Sequence, residues 1–236
     1  MLPFALGTTA VVFPQVGLPV IGSLGAAKGI KSLVGRKKEA EAKKAWDDLA
    51  QLNRQVPPIV LKWDNINCNL VQSDGNTRRL LVNCKGQARP GRLLALMGPS
   101  GSGKTTLLNA LAGQVPCSTS ITLSGSLTIN GQPSTESNHR QGYVQQEDVF
   151  YSQLTVMETM TMAAELRLPA SMSKADKKAY VDRLIAVLGL TKAAHTIVGD
   201  AKVRGLSGGE RKRLSLGCEL IGSPPLIFLD EPTSGL

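Results

Sequence analysis

From Ile59 onward, short apolar runs alternate with glycine-rich and polar breaks. Ile59–Trp63 and Leu80–Val82 predict two strands, and the polar stretch Gln72–Thr77 predicts the hairpin turn between them. Leu93–Met97 is apolar without alternation, the pattern of a buried central strand. A glycine-rich loop follows, and TTLLNALAG then predicts a helix. Ser126–Ile129 and Tyr143–Gln145 predict further strands. Thr155 and Glu158 have capping-box spacing, opening a helix that ends at Leu168 before Pro169. Ser173 and Asp176 open a second helix, with Tyr180, Leu184 and Leu188 on one face and Gly189 to close it. Met157, Met160 and Met162 are expected to fill core. A helix near 208–222 and the apolar run Leu226–Leu229 complete the series.

Before Ile59 the texture differs. Residues 1–27 carry no charge and are long enough to span a membrane. Three prolines (Pro3, Pro14, Pro19) and four glycines speak against a clean helix there. The basic residues follow the apolar run, whereas a secretory signal has them ahead of it. A loose or peripheral segment is the favoured reading, organelle targeting the next, and a membrane span the last. Residues 36–55 read as a charged linker helix, with Glu39 and Lys43 paired at i,i+4, and Pro57-Pro58 ends it. The domain division is therefore 1–56, an N-terminal apolar and basic segment with a linker helix, and 57–236.

Composition narrows the function classes. The chain has 236 residues, 42% of them hydrophobic, enough for a sizeable core. Its four cysteines form no CxxC pair, so they read as reduced thiols and not as a zinc site. The net charge is +9, but Lys28, Lys31, Arg36, Lys37 and Lys38 all precede the first acid, so much of the excess is local. Aromatics amount to 4%, poor material for stacking bases, and no nucleic-acid partner is expected.

Three motifs carry chemistry. The first is Gly98-Pro99-Ser100-Gly101-Ser102-Gly103-Lys104-Thr105, which fits G-x-x-x-x-G-K-[ST] between a strand and a helix. Its glycines let backbone N–H groups turn toward phosphate oxygens, and the helix N-terminus adds a partial positive charge. Lys104 supplies a point charge to the β- and γ-phosphates, and the Thr105 hydroxyl is placed to ligate Mg²⁺. Thr106, next in the chain, is counted with the loop as nucleotide-binding. The second motif is Leu226–Leu229 followed by Asp230 and Glu231. A buried strand ending in carboxylates beside a phosphate loop suits a Mg²⁺ ligand, assigned to Asp230, and a general base, assigned to Glu231. The third is Leu206-Ser207-Gly208-Gly209-Glu210 ahead of a helix. Ser207 and Glu210 can be a simple capping box. Together with Gly208 and Gly209 they can also form a second phosphate-binding helix end, useful if it meets nucleotide held by another copy.

The order of these motifs resembles the ATPase domain of ABC transporters, and more narrowly the G subfamily, the white-type half-transporters. The resemblance is carried by residues 91–113, 142–159, 199–221 and 226–236, and spans most of 57–236. It implies an α/β fold: a P-loop core with a mainly parallel sheet, an antiparallel β subdomain (about 59–90 and 121–146), and an inserted helical lobe (about 147–208). It also implies that Gln146, placed by the aromatic-Val-x-Gln-acid-Asp register, contacts Mg²⁺ and the attacking water. Ser207, Gly208 and Gly209 would meet the γ-phosphate across a head-to-tail dimer that sandwiches two ATP. The implied protein is a membrane exporter of lipidic or other small hydrophobic molecules, with its ATPase on the cytosolic face. Its partner would be a second half-transporter, as homo- or heterodimer, and its membrane domain would lie downstream.

Two features depart from the family pattern. The sequence stops within the stretch where relatives continue Ser-Gly-Leu-Asp, so a C-terminally truncated domain is expected, lacking the switch histidine; His139 and His195 both precede Asp230. No aromatic lies between Trp63 and Tyr143 to stack on adenine, which leaves Arg78 or Arg79 to offer a guanidinium face. A soluble ABC ATPase, or a nucleotide-binding product without turnover, are the alternative readings.

Overall fold

A computed structural model describes residues 7–12, 57–116 and 118–232. The expected linker helix at 36–55, most of the apolar segment 1–27, Cys117 and the last four residues lie outside the described residues. By contacts the chain forms two compact units. Among the described residues the first comprises 7–12, 57–146 and 225–232, and the second comprises 147–224.

The first unit holds two four-stranded sheets. One is antiparallel, in the order β3-β2-β5-β6, from β2 (Leu61–Val71), β3 (Thr77–Ala88), β5 (Ile121–Ile129) and β6 (Gln132–Pro133). The β2–β3 turn is closed by Gln72 N–H donating to the Asn76 carbonyl at 2.8 Å and by Asp74 Oδ1 accepting from Asn76 N–H at 2.9 Å. Along β2, Leu61 and Trp63, then Ile66 and Cys68, are buried while Lys62 and Asp64 face out: two runs with the period of a strand, offset by a register shift between Trp63 and Ile66.

The other sheet has the order β4-β1-β8-β7, from β1 (Gly7–Val12), β4 (Leu93–Gly98), β7 (Gln141–Val144) and β8 (Leu226–Leu229). β7 and β8 are parallel, and β1 runs antiparallel to both β4 and β8. Thus β4, β7 and β8 share one direction and β1 is reversed between two of them. β8 is buried along its whole length, with Phe228 fully buried. Burying one such ring is worth about 1.5–3 kcal/mol. Phe228 and Leu226 share a core with Ile59, Leu61, Trp63, Leu108 and Leu111.

Three expectations need correction here. β4 is an edge strand with an alternating pattern, not a buried central one: Leu94 and Leu96 pack on the core while Met97 is 66% exposed. Its uniformly apolar sequence does not encode its place in the sheet. β7 does not belong to the antiparallel layer that the resemblance extends to residue 146; its backbone pairs in parallel with β8. β1 arises in the segment read as loose. Its sequence GTTAVV is rich in β-branched residues, and strand propensity prevails once two neighbours are available to pair.

The second unit is helical: α2 (Val156–Arg167), α3 (Lys174–Val187) and α4 (Gly208–Leu220), with α1 (Lys104–Leu111) belonging to the first unit. Thr155 and Glu158 form the expected capping box, and Ser173 accepts from Asp176 N–H at 3.1 Å to cap α3. Tyr180, Leu184 and Leu188 are buried together as their spacing requires. Met160 is fully buried, but Met162 is 41% exposed, so it is not core. It sits two residues from Met160, on the other side of a 3.6-residue helix. At Gly217 on α4 a Cβ would meet Leu188 Cδ1 at 2.6 Å and Met160 Cε at 3.1 Å, so the glycine permits close packing. No helix among the described residues is long and apolar enough to cross a membrane.

Candidate functional site: a phosphate loop and a strand-end carboxylate pair

The loop between β4 and α1 is shaped by its own backbone. Gly101 and Gly103 adopt left-handed conformations, with φ of +77° and +88°. Gly103 is the N-cap of α1, and no side chain caps that helix. A Cβ there would also stand 3.1 Å from the Leu80 carbonyl oxygen, so glycine is required twice over. Ser102 N–H donates to the Pro99 carbonyl at 3.2 Å, closing the turn. Lys104 opens α1 and folds its ammonium back over the loop, donating to the carbonyls of Gly98 at 3.1 Å and Pro99 at 3.0 Å. Ser100 lies exposed on the loop, and Thr106 follows within α1. The first turn of α1 contains no acidic residue of its own.

Thr105 Oγ1 donates to Asp230 Oδ1 at 3.1 Å, across 125 residues of sequence. Asp230 is only 3% exposed, at the end of β8, and its N–H donates to the Val144 carbonyl at 2.9 Å. Parallel pairing of β7 with β8 therefore sets the depth of the carboxylate. The next residue, Glu231, has a left-handed backbone, φ +43°. Gln146, two residues past β7, donates from Nε2 to Glu231 Oε2 at 3.1 Å. So Lys104, Thr105, Asp230, Glu231 and Gln146, from three separate sequence segments, belong to one unit.

One supporting residue escaped the sequence reading. The Tyr143 hydroxyl donates to Asn109 Oδ1 on α1, tying β7 to the helix after the loop. Burial, and then the negative charge of Asp230, push the Tyr143 phenol well above its ordinary pKa, so it stays a donor. Tyr143 also lies 6.3 Å from Phe228, ring to ring. Its signal in the sequence was its place as the aromatic of the aromatic-Val-x-Gln register.

Ser207, Gly208 and Gly209 lie in the second unit, at the start of α4. Here the capping box is real: Ser207 Oγ accepts from Glu210 N–H at 3.3 Å, and Ser207 N–H donates to Glu210 Oε2 at 2.9 Å. Ser207 Oγ also donates to Glu210 Oε2 at 2.7 Å, and this bond, followed by the one from Ser207 N–H, holds the Glu210 carboxyl below its usual range. Ser207 and Gly208 remain exposed. Arg211 fastens the approach to the helix by donating to the carbonyls of Val198 at 3.1 Å and Gly199 at 2.9 Å.

The donor set at the loop suits a hard divalent cation. A hydroxyl and a buried carboxylate already converge at hydrogen-bond distance, and Mg²⁺ takes oxygen ligands of these kinds beside substrate phosphates.

The sequence model of the ABC transporter family matches residues 81–234. ABC transporter G family member 7 of Arabidopsis thaliana is 56% identical over 182 residues, 77% of this chain and 25% of that protein. ABC transporter G family member STR of Petunia hybrida is 42% identical over 220 residues, 89% of this chain and 26% of that protein. The chain thus spans about a quarter of the length of these curated relatives. Among solved structures, the ATP-binding cassette MJ0796, a dimer in a post-hydrolysis state bound to ADP and Pi, superposes with a TM-score of 0.58 at 21% identity, covering 75% of each chain. That likeness establishes the α/β ATPase fold. On the strength of the family match, this chain belongs to the ABC transporter family, and its relatives place it with the G subfamily.

Proposed function

We propose that this chain binds ATP with Mg²⁺ and hydrolyses it to power export of a lipidic or other small hydrophobic molecule by a G-type half-transporter. The observation that carries the reading is the Thr105–Asp230 hydrogen bond, which joins the loop and the strand-end acids at one point.

In this reading the backbone N–H groups of the Gly98–Lys104 loop other than Pro99, which has none, with Thr106, cradle the phosphates, and the Lys104 ammonium leaves the loop carbonyls to meet the β- and γ-phosphates. Thr105, Asp230 and Gln146 would hold Mg²⁺, whose chemistry there is to neutralise phosphate charge. Glu231 takes a proton from the attacking water as its oxygen bonds to the γ-phosphorus, and the bond to the β–γ bridging oxygen breaks to release ADP. Gln146, already bonded to Glu231, orients that water. Ser207, Gly208 and Gly209 serve the nucleotide of a second half-transporter, the same or a different chain, so that two ATP lie between the pair. A membrane domain downstream would set the cargo and hold the ATPase on the cytosolic face, with organelle targeting an option for the N-terminal segment.

The test is Glu231→Gln in the intact protein. Turnover should fall by about 10²–10⁴-fold, as for a lost general base, while ATP binding followed by calorimetric titration stays within about threefold. Unchanged turnover would reject the assignment.

A further inference from the structure

The phosphate loop and the strand-end acids come from distant parts of the chain, and α1 is tied to the acid-bearing strands at two points. At the start of the helix, Thr105 Oγ1 donates to Asp230 Oδ1 at 3.1 Å. Four residues on, Asn109 Oδ1 accepts from the Tyr143 hydroxyl of β7. Positions i and i+4 share one side of a helix, about 6 Å apart along its axis. Tyr143 stands opposite Phe228 in the parallel β7–β8 register, with the ring centroids 6.3 Å apart. The next residue, Val144, accepts from Asp230 N–H at 2.9 Å. Both ties of α1 therefore end on the same pair of strands, within the first unit.

Burial does not require the second tie. Leu108 and Leu111 of α1 already share a core with Phe228, and the Tyr143 ring packs against that core. A phenylalanine and a leucine would fill the same space without taking a hydroxyl and an amide out of water. What the pair adds is direction. Apolar packing is non-directional, whereas a hydrogen bond weakens steeply once its angle is lost. The single bond at Thr105 is a pivot about which α1 can still turn. A turn of about 15° carries an atom about 5 Å from the helix axis through about 1.3 Å. A misplacement of that size beside reacting groups costs up to about 10²-fold in rate.

We infer that Tyr143 and Asn109 are positioning residues whose hydrogen bond fixes the turn of α1 about its axis, so that the Thr105 hydroxyl is presented to the Asp230 carboxylate. Neither residue touches the nucleotide in this arrangement; both act through Thr105. The backbone of the phosphate loop does not depend on the pair, because Gly101, Gly103 and the Ser102–Pro99 bond shape it locally. The inference rests on the ATPase reading above, because it gives the pair a role in assembling the oxygen ligands proposed for Mg²⁺.

The experiment compares Tyr143→Phe, Asn109→Leu and the double variant Tyr143→Phe/Asn109→Leu in the intact protein. For each, calorimetric titration gives ATP affinity with chelator and with Mg²⁺, and the Mg²⁺ concentration at half-maximal turnover and the melting temperature are measured. Each single variant should raise that Mg²⁺ concentration by roughly 3–10-fold, the change that one neutral hydrogen bond can account for. ATP affinity in chelator should stay within about twofold, while the gain on adding Mg²⁺ shrinks. Replacing both partners by apolar groups of similar shape is nearly neutral for stability. The double variant should therefore recover melting temperature and keep the weakened Mg²⁺ dependence. Recovery of both together, or a Mg²⁺ dependence that Tyr143→Phe leaves unchanged, would reduce the pair to packing and overturn the inference. Failure of the ATPase reading looks different: the unmodified protein turns over no ATP and gains no affinity from Mg²⁺, and the inference then falls with it.

Discussion

Helices α1 and α4 both begin at glycines, yet they treat their first N–H groups differently. At α1 the N-cap is Gly103, no side chain bonds the helix end, and the first turn contains Lys104 but no acid. At α4 the N-cap Ser207 and Glu210 bond one another reciprocally, placing a carboxylate in the first turn. One helix end thus leaves its donors and its positive field to an external anion. The other has satisfied part of itself and offers a hydroxyl and two glycines at an exposed surface. Glycine at a helix start therefore does not by itself define a phosphate site. What matters is whether the protein has already spent the donors.

The largest effect is expected at Lys104. Lys104→Met removes a charge-assisted donor, and each such bond is worth about 1.5–3 kcal/mol. ATP affinity of the chain, measured by calorimetric titration, should drop by roughly a hundredfold, with little change in melting temperature. If Ser207→Ala weakens ATP binding to the isolated chain as much as Lys104→Met does, the two helix ends are equivalent and the contrast fails.

A smaller effect is expected at the other end. Ser207→Ala removes an N-cap, which costs about 1 kcal/mol, and the melting temperature should fall by about 2–4 °C. Ser207→Asp, another good N-cap, should restore most of that loss. A melting curve that ignores both substitutions would show that the capping box contributes nothing.

The smallest effect is a pH dependence. Glu210 has its carboxyl pKa lowered in the folded chain by its hydrogen bonds to Ser207. Its contribution to stability is therefore present above the ordinary glutamate value of about 4.3 and is lost as pH falls through the lower folded value. Thermal melts between neutral and strongly acidic pH should show a shallower acid decline in Glu210→Gln. Lys104→Met should leave that decline unchanged, since α1 has no acid in its first turn.

Much of this was legible in residue order alone, and the reason is that the legible features are local. Capping boxes span three residues, so Thr155–Glu158 and Ser207–Glu210 could be read directly and the helices stand where they predict. The loop Gly98–Thr105 needs its glycines and lysine at fixed spacing, so the motif and its strand–helix context were visible together. Sheet position was not legible. Nothing in LLALM says that β4 takes an edge, because hydrogen-bonding neighbours come from distant segments. Nor could the loose reading of the N-terminal segment anticipate β1, whose strand state depends on β4 and β8 both being there to pair.

Residue order alone put forward the candidates for chemistry: a lysine in a glycine loop and two carboxylates after an apolar run, to which the family resemblance added a glutamine. Only the tertiary structure decided which of them meet. Thr105 and Asp230 are 125 positions apart and Gln146 and Glu231 are 85 apart, and parallel pairing of β7 with β8 aligns the strand ends that carry Gln146 and the carboxylates. The same holds for Tyr143 against Asn109 and for Asp148 against Lys212. The physical reason is that composition and spacing specify the local hydrogen bonds of a helix start or a turn. A buried ion pair or an interstrand register is specified by the whole packed chain, which alone fixes which distant groups share the same dry space.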